Sequence, residues 1–185
     1  MSTTDMILTA LVVILLLAVA GLYMKMRASR ALQSRFGPEY ARAVADRGDA
    51  DKAEAHLRER ERRVRSYRLK LLSRQDRQRF ADEWRVIQAR FVDDPKDAAA
   101  QADALVGRVM TARGYPEGDF DQRLEDLSVD HPATVQNYRA SRMMLERRER
   151  GEASTEDMRM ALIHLRALFD ELVGEPHPQP ARAAS

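Results

Sequence analysis

The longest apolar run in the chain is Met6 to Met24, MILTALVVILLLAVAGLYM, nineteen residues without a charge. As a helix it spans ~28 Å, close to the ~30 Å hydrocarbon core of a bilayer. Only Thr9, Gly21 and Tyr23 interrupt the aliphatic pattern, and none is costly in lipid. A buried core helix this apolar on all sides would need a partner large enough to hide it. No other segment is comparably apolar, so the pattern predicts a transmembrane helix. Before the run stands only Asp5; directly after it come Lys25, Arg27 and Arg30. Basic residues are retained on the cytoplasmic side, which predicts the N-terminus outside and residues 25–185 inside. Ala18-Val19-Ala20 resembles a signal-peptidase site, but a signal peptide has a basic leader and a shorter apolar core, and neither is present.

Past Met24 the pattern changes to helical periods broken by Gly and Pro. Lys25 to Phe36 has no breaker and continues the apolar helix to Gly37-Pro38. Pro38 to Arg47 reads as a short helix with Tyr40 and Val44 on one face, closed by Gly48. Asp49 caps a charged helix to about Ser66, with a thin stripe of Ala53, Leu57 and Val64. Its pairs Glu54–Arg58, Glu59–Arg63 and Glu61–Arg65 stand four apart in the favourable order. Tyr67 to Leu72 alternates apolar and basic and reads as an extended connector that docks its leucines.

Ser73 and Asp76 start the next helix, in which Phe80, Trp84, Ile87 and Phe91 share one face. This face, with the only tryptophan, is the expected core nucleus, packed against Leu165, Leu168 or Phe169. Asp94-Pro95 opens a helix to Ala112 with Ala98, Ala102, Leu105 and Val109 inward. A short helix follows over Phe120 to Leu127, then one from Pro132 to about Arg150 with Val135, Tyr138 and Leu145 inward. Ser154 and Asp157 start the most regular helix, with Met158, Ala161, Leu165, Leu168 and Leu172 inward. The expectation is an all-α protein. It has a short tail (1–5), a transmembrane helix (6–24), a basic juxtamembrane stalk and connector (25–72), a multi-helix domain (73–173) and a disordered, Pro-rich tail (174–185).

The net charge of +2 hides an asymmetry: residues 25–79 carry 17 basic and 8 acidic side chains, whereas residues 80–185 carry 14 and 20. The basic half adjoins the apolar run, where an anionic leaflet attracts each nearby Lys or Arg by ~1 kcal/mol. Lys25, Arg27, Arg30, Arg58, Arg62, Arg65 and Arg68 are therefore the candidate lipid contacts, the last four on one sector of a helix. Acids interleave with these arginines and aromatics are sparse, which argues against nucleic acid. The absence of cysteine excludes disulfides, thiolate metal sites and a lipoprotein anchor.

Catalytic chemistry finds no foothold. There is no G-x-S-x-G elbow and no glycine-rich phosphate loop, and no residue is assigned to catalysis or to a cofactor. The densest polar constellation is Asp119, Asp121, Asp126, Asp130 and His131. Asp119, Asp121, Asp130 and His131 form a candidate ligand cluster, since carboxylates with an imidazole hold hard or borderline cations. The competing account is that they cap and solvate turns.

RFGPEY (35–40), FADEWRVIQARFVDDP (80–95), RGYPEGDFDQR (113–123), LSVDHPATVQNYR (127–139) and ERGEASTEDMRMALIHLRALFDELV (149–173) cover most of the region after the apolar run. In this order they resemble a family of uncharacterised bacterial membrane proteins. The resemblance implies membrane anchoring and a shared helical domain, and supplies no catalytic residues. The expected function is a single-pass inner-membrane protein that is not an enzyme and presents a helical adaptor or scaffold domain to a cytoplasmic protein partner. The alternative is a ligand- or metal-binding helical domain using the Asp119–His131 region.

Overall fold

Side-chain caps set most of the helix starts. Asp49 Oδ1 accepts from Lys52 N at 2.9 Å, Ser73 Oγ from Asp76 N at 3.0 Å, Asp94 Oδ1 from Asp97 N at 2.9 Å and Asp119 Oδ1 from Gln122 N at 2.8 Å. Ser154 and Asp157 bond reciprocally in a capping box. Each cap satisfies an amide that the helix leaves orphaned, worth ~1 kcal/mol. The computed structural model describes residues 3–174, so the Pro-rich tail beyond Gly174 lies outside the described residues. Among these, the chain is all-helical with no strand: α1 (Thr3–Phe36), α2 (Pro38–Arg47), α3 (Ala50–Ser66), α4 (Arg74–Arg90), α5 (Pro95–Arg113), α6 (Phe120–Asp130), α7 (Val135–Glu149) and α8 (Thr155–Val173).

The chain divides into two compact units, Met1–Arg58 and Glu59–Ser185. The division falls inside α3. The reason is that Arg60, Val64 and the Arg63 guanidinium are turned inward in the second unit rather than into solvent.

In the first unit, α1 carries the apolar run and continues unbroken to Phe36. Leu11–Phe36 meets the length and composition needed to cross a membrane, and none of its apolar window is buried. Leu32 and Phe36, at the far end of the same helix, are buried. Gly48 closes α2 in the left-handed region at φ 67°, its amide bonding Val44 O at 2.9 Å.

The second unit is built around α8, which packs closely on α5 and α7. The alanines of α5, Ala98, Ala99 and Ala102, are fully buried and permit that approach. Phe80, Trp84 and Ile87 of α4 join Leu105, Val106 and Val109 of α5, Leu124 and Leu127 of α6, Val135 and Tyr138 of α7, and Leu165, Leu168 and Leu172 of α8 in one core. Trp84 stacks on Phe169 with ring centroids 4.7 Å apart. Arg166 lies over both rings, 5.3 Å from Trp84 and 5.6 Å from Phe169.

Residues 67–73 run without helix between α3 and α4, with Leu72 buried and Leu71 exposed. Lys70 N donates to Arg113 O at 2.9 Å where this connector crosses the end of α5. Gly114 sits there at φ 97°, and a Cβ on it would stand 2.5 Å from Arg68 O. No other residue type fits that crossing.

Two helix boundaries differ from the pattern by three residues. α6 runs three residues further, to Asp130. α7 starts at Val135 rather than Pro132: residues 132–134 form a turn in which Val135 N bonds His131 O at 3.0 Å, while the Thr134 hydroxyl donates to Glu171 and makes no cap for α7.

Trp84→Ala removes a fully buried side chain and its ring contact. It is expected to destabilise the second unit by ~3–5 kcal/mol in chemical denaturation. A loss under ~1 kcal/mol would show that the core does not centre on this residue.

Candidate functional site

From Leu11 to Met26 every large apolar side chain is between 49% and 70% exposed. Burying such a side chain is worth about 1.5–3 kcal/mol relative to leaving it in water. No protein surface meets that demand here, so the exposed cylinder is the most conspicuous surface in the molecule.

Its polar margin is organised by named contacts. Lys25 Nζ donates to Asp51 Oδ2 at 2.8 Å. One turn further along α1, Ser29 Oγ lies 3.4 Å from Tyr40 Oη, and Tyr40 Oη donates to Glu54 Oε1 at 3.0 Å. Arg58 completes the group by donating to Glu54 Oε2 at 2.7 Å. Glu54 is buried. Burial alone would push its carboxyl up, but hydrogen bonds from Ser29, Tyr40 and Arg58 together hold it below the usual carboxylate range.

The candidate lipid contacts fall in both units: Lys25, Arg27, Arg30 and Arg58 in the first, Arg62, Arg65 and Arg68 in the second. Lys25 and Arg58 are held by Asp51 and Glu54, and Arg62 pairs with Glu59. Arg27 and Arg30 are exposed on α1 just past the apolar run. Arg65 is exposed near the end of α3. Arg68 is also exposed, but α3 ends at Ser66, so Arg68 stands on the extended connector and shares no helix sector with the other three.

The second unit holds a network that sequence spacing did not reveal. Asp126, buried on α6, accepts from Arg63 Nε, Tyr67 Oη and Gln122 Nε2, each at 3.0 Å. Beside it, Glu125 accepts from Arg63 at 2.8 Å and from Arg60 at 3.2 Å, and Arg60 also donates to Ser128 Oγ at 3.2 Å. Burial works against the charge on Arg63, but Glu125 and Asp126 outweigh it, so the guanidinium holds its proton more firmly than in water. Burial and the Asp126 charge both push the Tyr67 phenol up. A half-buried carboxylate pair competes better for Arg63 than solvated Glu59 does, which is why the expected Glu59–Arg63 pair gives way to Glu59–Arg62. Glu54–Arg58 forms as the spacing predicts.

The Asp119–His131 cluster does not converge. Asp119 caps the start of α6 and Asp121 is exposed in its first turn. Asp130 is the last residue of α6 and His131 its C-cap, with Nδ1 2.6 Å from Glu171 Oε1. The helix between them separates the two ends by ~18 Å, far beyond the reach of one ion. Among the described residues no group of three or more His, Asp or Glu side chains is placed to hold a metal.

A shallow groove of about 610 Å³ opens between α4, α5 and residues 116–118, lined among others by Phe80, Met110 and Pro116. Its three arginines already face carboxylates: Arg79–Asp76 at 2.9 Å, Arg108–Glu83 at 2.5 Å and Arg123–Asp103 at 3.9 Å. Arg123 crosses α5 at Gly107, where a Cβ would stand 2.9 Å from its guanidinium.

These observations define a helical protein with one helix long and apolar enough to cross a membrane, followed by a multi-helix domain. Compared with family models, curated proteins and solved structures, the chain matches none.

Asp126→Ala strands Arg63 and Tyr67 in a partly buried site and is expected to cost ~3 kcal/mol of stability. Arg62→Ala, on an exposed pair in the same helix, should change stability by less than ~0.5 kcal/mol. Urea denaturation of the two variants checks the contrast, and equal losses would contradict it.

Proposed function

We propose that this chain is a single-pass membrane-anchored protein whose helical domain has a structural or interaction role, as an adaptor or scaffold for a protein partner. The observation that carries the reading is the exposure of the apolar cylinder in a helix whose other end, at Leu32 and Phe36, is buried. An anchor built this way is continuous with folded structure, with no flexible linker between them. The five stretches that resemble bacterial membrane proteins, 35–40, 80–95, 113–123, 127–139 and 149–173, support the same assignment.

The membrane is the bacterial inner membrane, with the N-terminus outside and the domain in the cytoplasm. Lys25, Arg27 and Arg30 against Asp5 support that orientation. Arg27 and Arg30 are the residues positioned for anionic headgroups. The domain acts by presenting its surface at a fixed place beside the membrane, not by catalysis.

A fluorescent reporter fused after Ser185 should be active and a periplasmic phosphatase fused there inactive. Mass spectrometry of the membrane-bound chain should find residues 6–24 retained. A phosphatase-active fusion overturns the orientation, and a mature chain beginning at Gly21 overturns the anchor in favour of a signal sequence.

A further inference from the structure

Contacts in the first unit fix the direction of α3 relative to the anchor helix. Lys25 meets Asp51 at 2.8 Å, and Ser29 reaches Glu54 through Tyr40. Residue numbers rise together on α1 and α3, so the two helices run parallel, with α2 returning between them. α2 spans ~15 Å, enough to carry the chain from the level of Phe36 back towards that of Lys25. The turn between α2 and α3 is therefore beside Lys25.

Lys25 has a fixed depth once the apolar run is placed in a bilayer. It lies ten residues past Leu15, the midpoint of Met6–Met24, which is ~15 Å along the helix axis and at the edge of the hydrocarbon. Tyr23, 66% exposed, then stands where aromatic side chains gather at the interface. The α1–α2 turn at Gly37 lies ~18 Å further out.

We propose that the α2–α3 turn, residues 46–52, is a second membrane contact that rests at headgroup level beside Lys25 and presents cations to lipid phosphates. The inference rests on the anchoring reading above. Its chemistry suits the role. The three acids at the turn are exposed but each is bonded or paired: Asp46 faces Arg42 at 3.8 Å, Asp49 caps α3, and Asp51 holds Lys25; with Lys25, Arg27, Arg42, Arg47 and Lys52, five cations stand against these three acids. Lys52 and Arg27 are exposed, and Arg47 is exposed with its guanidinium 3.2 Å from His56 Nε2. A turn held at this level gives the anchor two points of contact with the surface, and so sets the tilt of the first unit.

The chain has no cysteine, so single labels need no background removal. Met24→Cys, Ala50→Cys and Ser34→Cys place nitroxides on exposed positions at the apolar margin, in the turn and ~15 Å further out along α1. Each full-length variant is reconstituted in vesicles of phosphatidylcholine and phosphatidylglycerol doped with a nickel-chelating lipid, after circular dichroism verifies its helix content. Relaxation by the headgroup nickel should be similar at Met24 and Ala50, and several-fold weaker at Ser34. Arg47→Glu with Lys52→Glu should lower the effect at Ala50 and leave Met24 unchanged. A chain that floats with the vesicles but shows Ala50 as insensitive as Ser34 overturns the turn contact alone. A chain that does not float overturns the anchoring reading and this proposal with it.

Discussion

An apolar helix without a protein neighbour is the constraint on which the rest of this molecule depends. From Leu11 to Met26 no large apolar side chain finds shelter. At about 1.5–3 kcal/mol for each such side chain, the penalty in water is larger than the whole ~5–15 kcal/mol that holds a typical domain folded. The helix is therefore costly to leave in water, and under the reading proposed here a bilayer covers it. Lys25 is tied to Asp51 at the margin, and Ser29, Tyr40, Glu54 and Arg58 interlock one turn beyond. The polar pin is built where the apolar run ends, and it joins all three helices of the first unit.

The second unit solves the opposite problem: it must keep one core closed with little aromatic material. It does so with small residues on α5 that let α8 approach, and with a few aromatic contacts: Trp84 on Phe169, covered by Arg166, Phe120 on Tyr138, and Tyr67 edge-on to Tyr115. Polar groups are used in two ways. Exposed pairs such as Arg62–Glu59 and Arg166–Asp170 sit on helix surfaces and contribute little. The Asp126 network, by contrast, locks Arg63 and Tyr67 to α6, and losing one member leaves the others unpaired. Arginine-rich though it is, α3 is thus part of the fold as well as part of the surface.

Local chemistry made most of the helices legible in the sequence. Asp49, Ser73, Asp94 and Ser154 each cap the helix that the pattern assigned to them, because a cap reaches only three residues. The stripe through Phe80, Trp84 and Ile87 was legible for the same reason, since helical periodicity is local. What spacing could not show was Arg63 reaching Asp126, 63 residues away, or Arg60 turned inward beside it. Both look like members of a solvated charged face until the fold brings α6 alongside. The Asp119–His131 cluster failed in the reverse sense: near in sequence, its members stand at opposite ends of α6. Arg68 left its expected helix because α3 ends at Ser66, where the extended connector begins.

Integral membrane association is the central claim, and alkaline carbonate extraction of membranes from cells making the full chain tests it most directly. The wild-type chain should stay with the membrane pellet. Leu15→Arg with Leu16→Arg, which places two charges at the centre of the run at ~2.5–3.5 kcal/mol each, should release it. Release of the wild-type chain into the supernatant, with residues 6–24 still attached, would contradict the account.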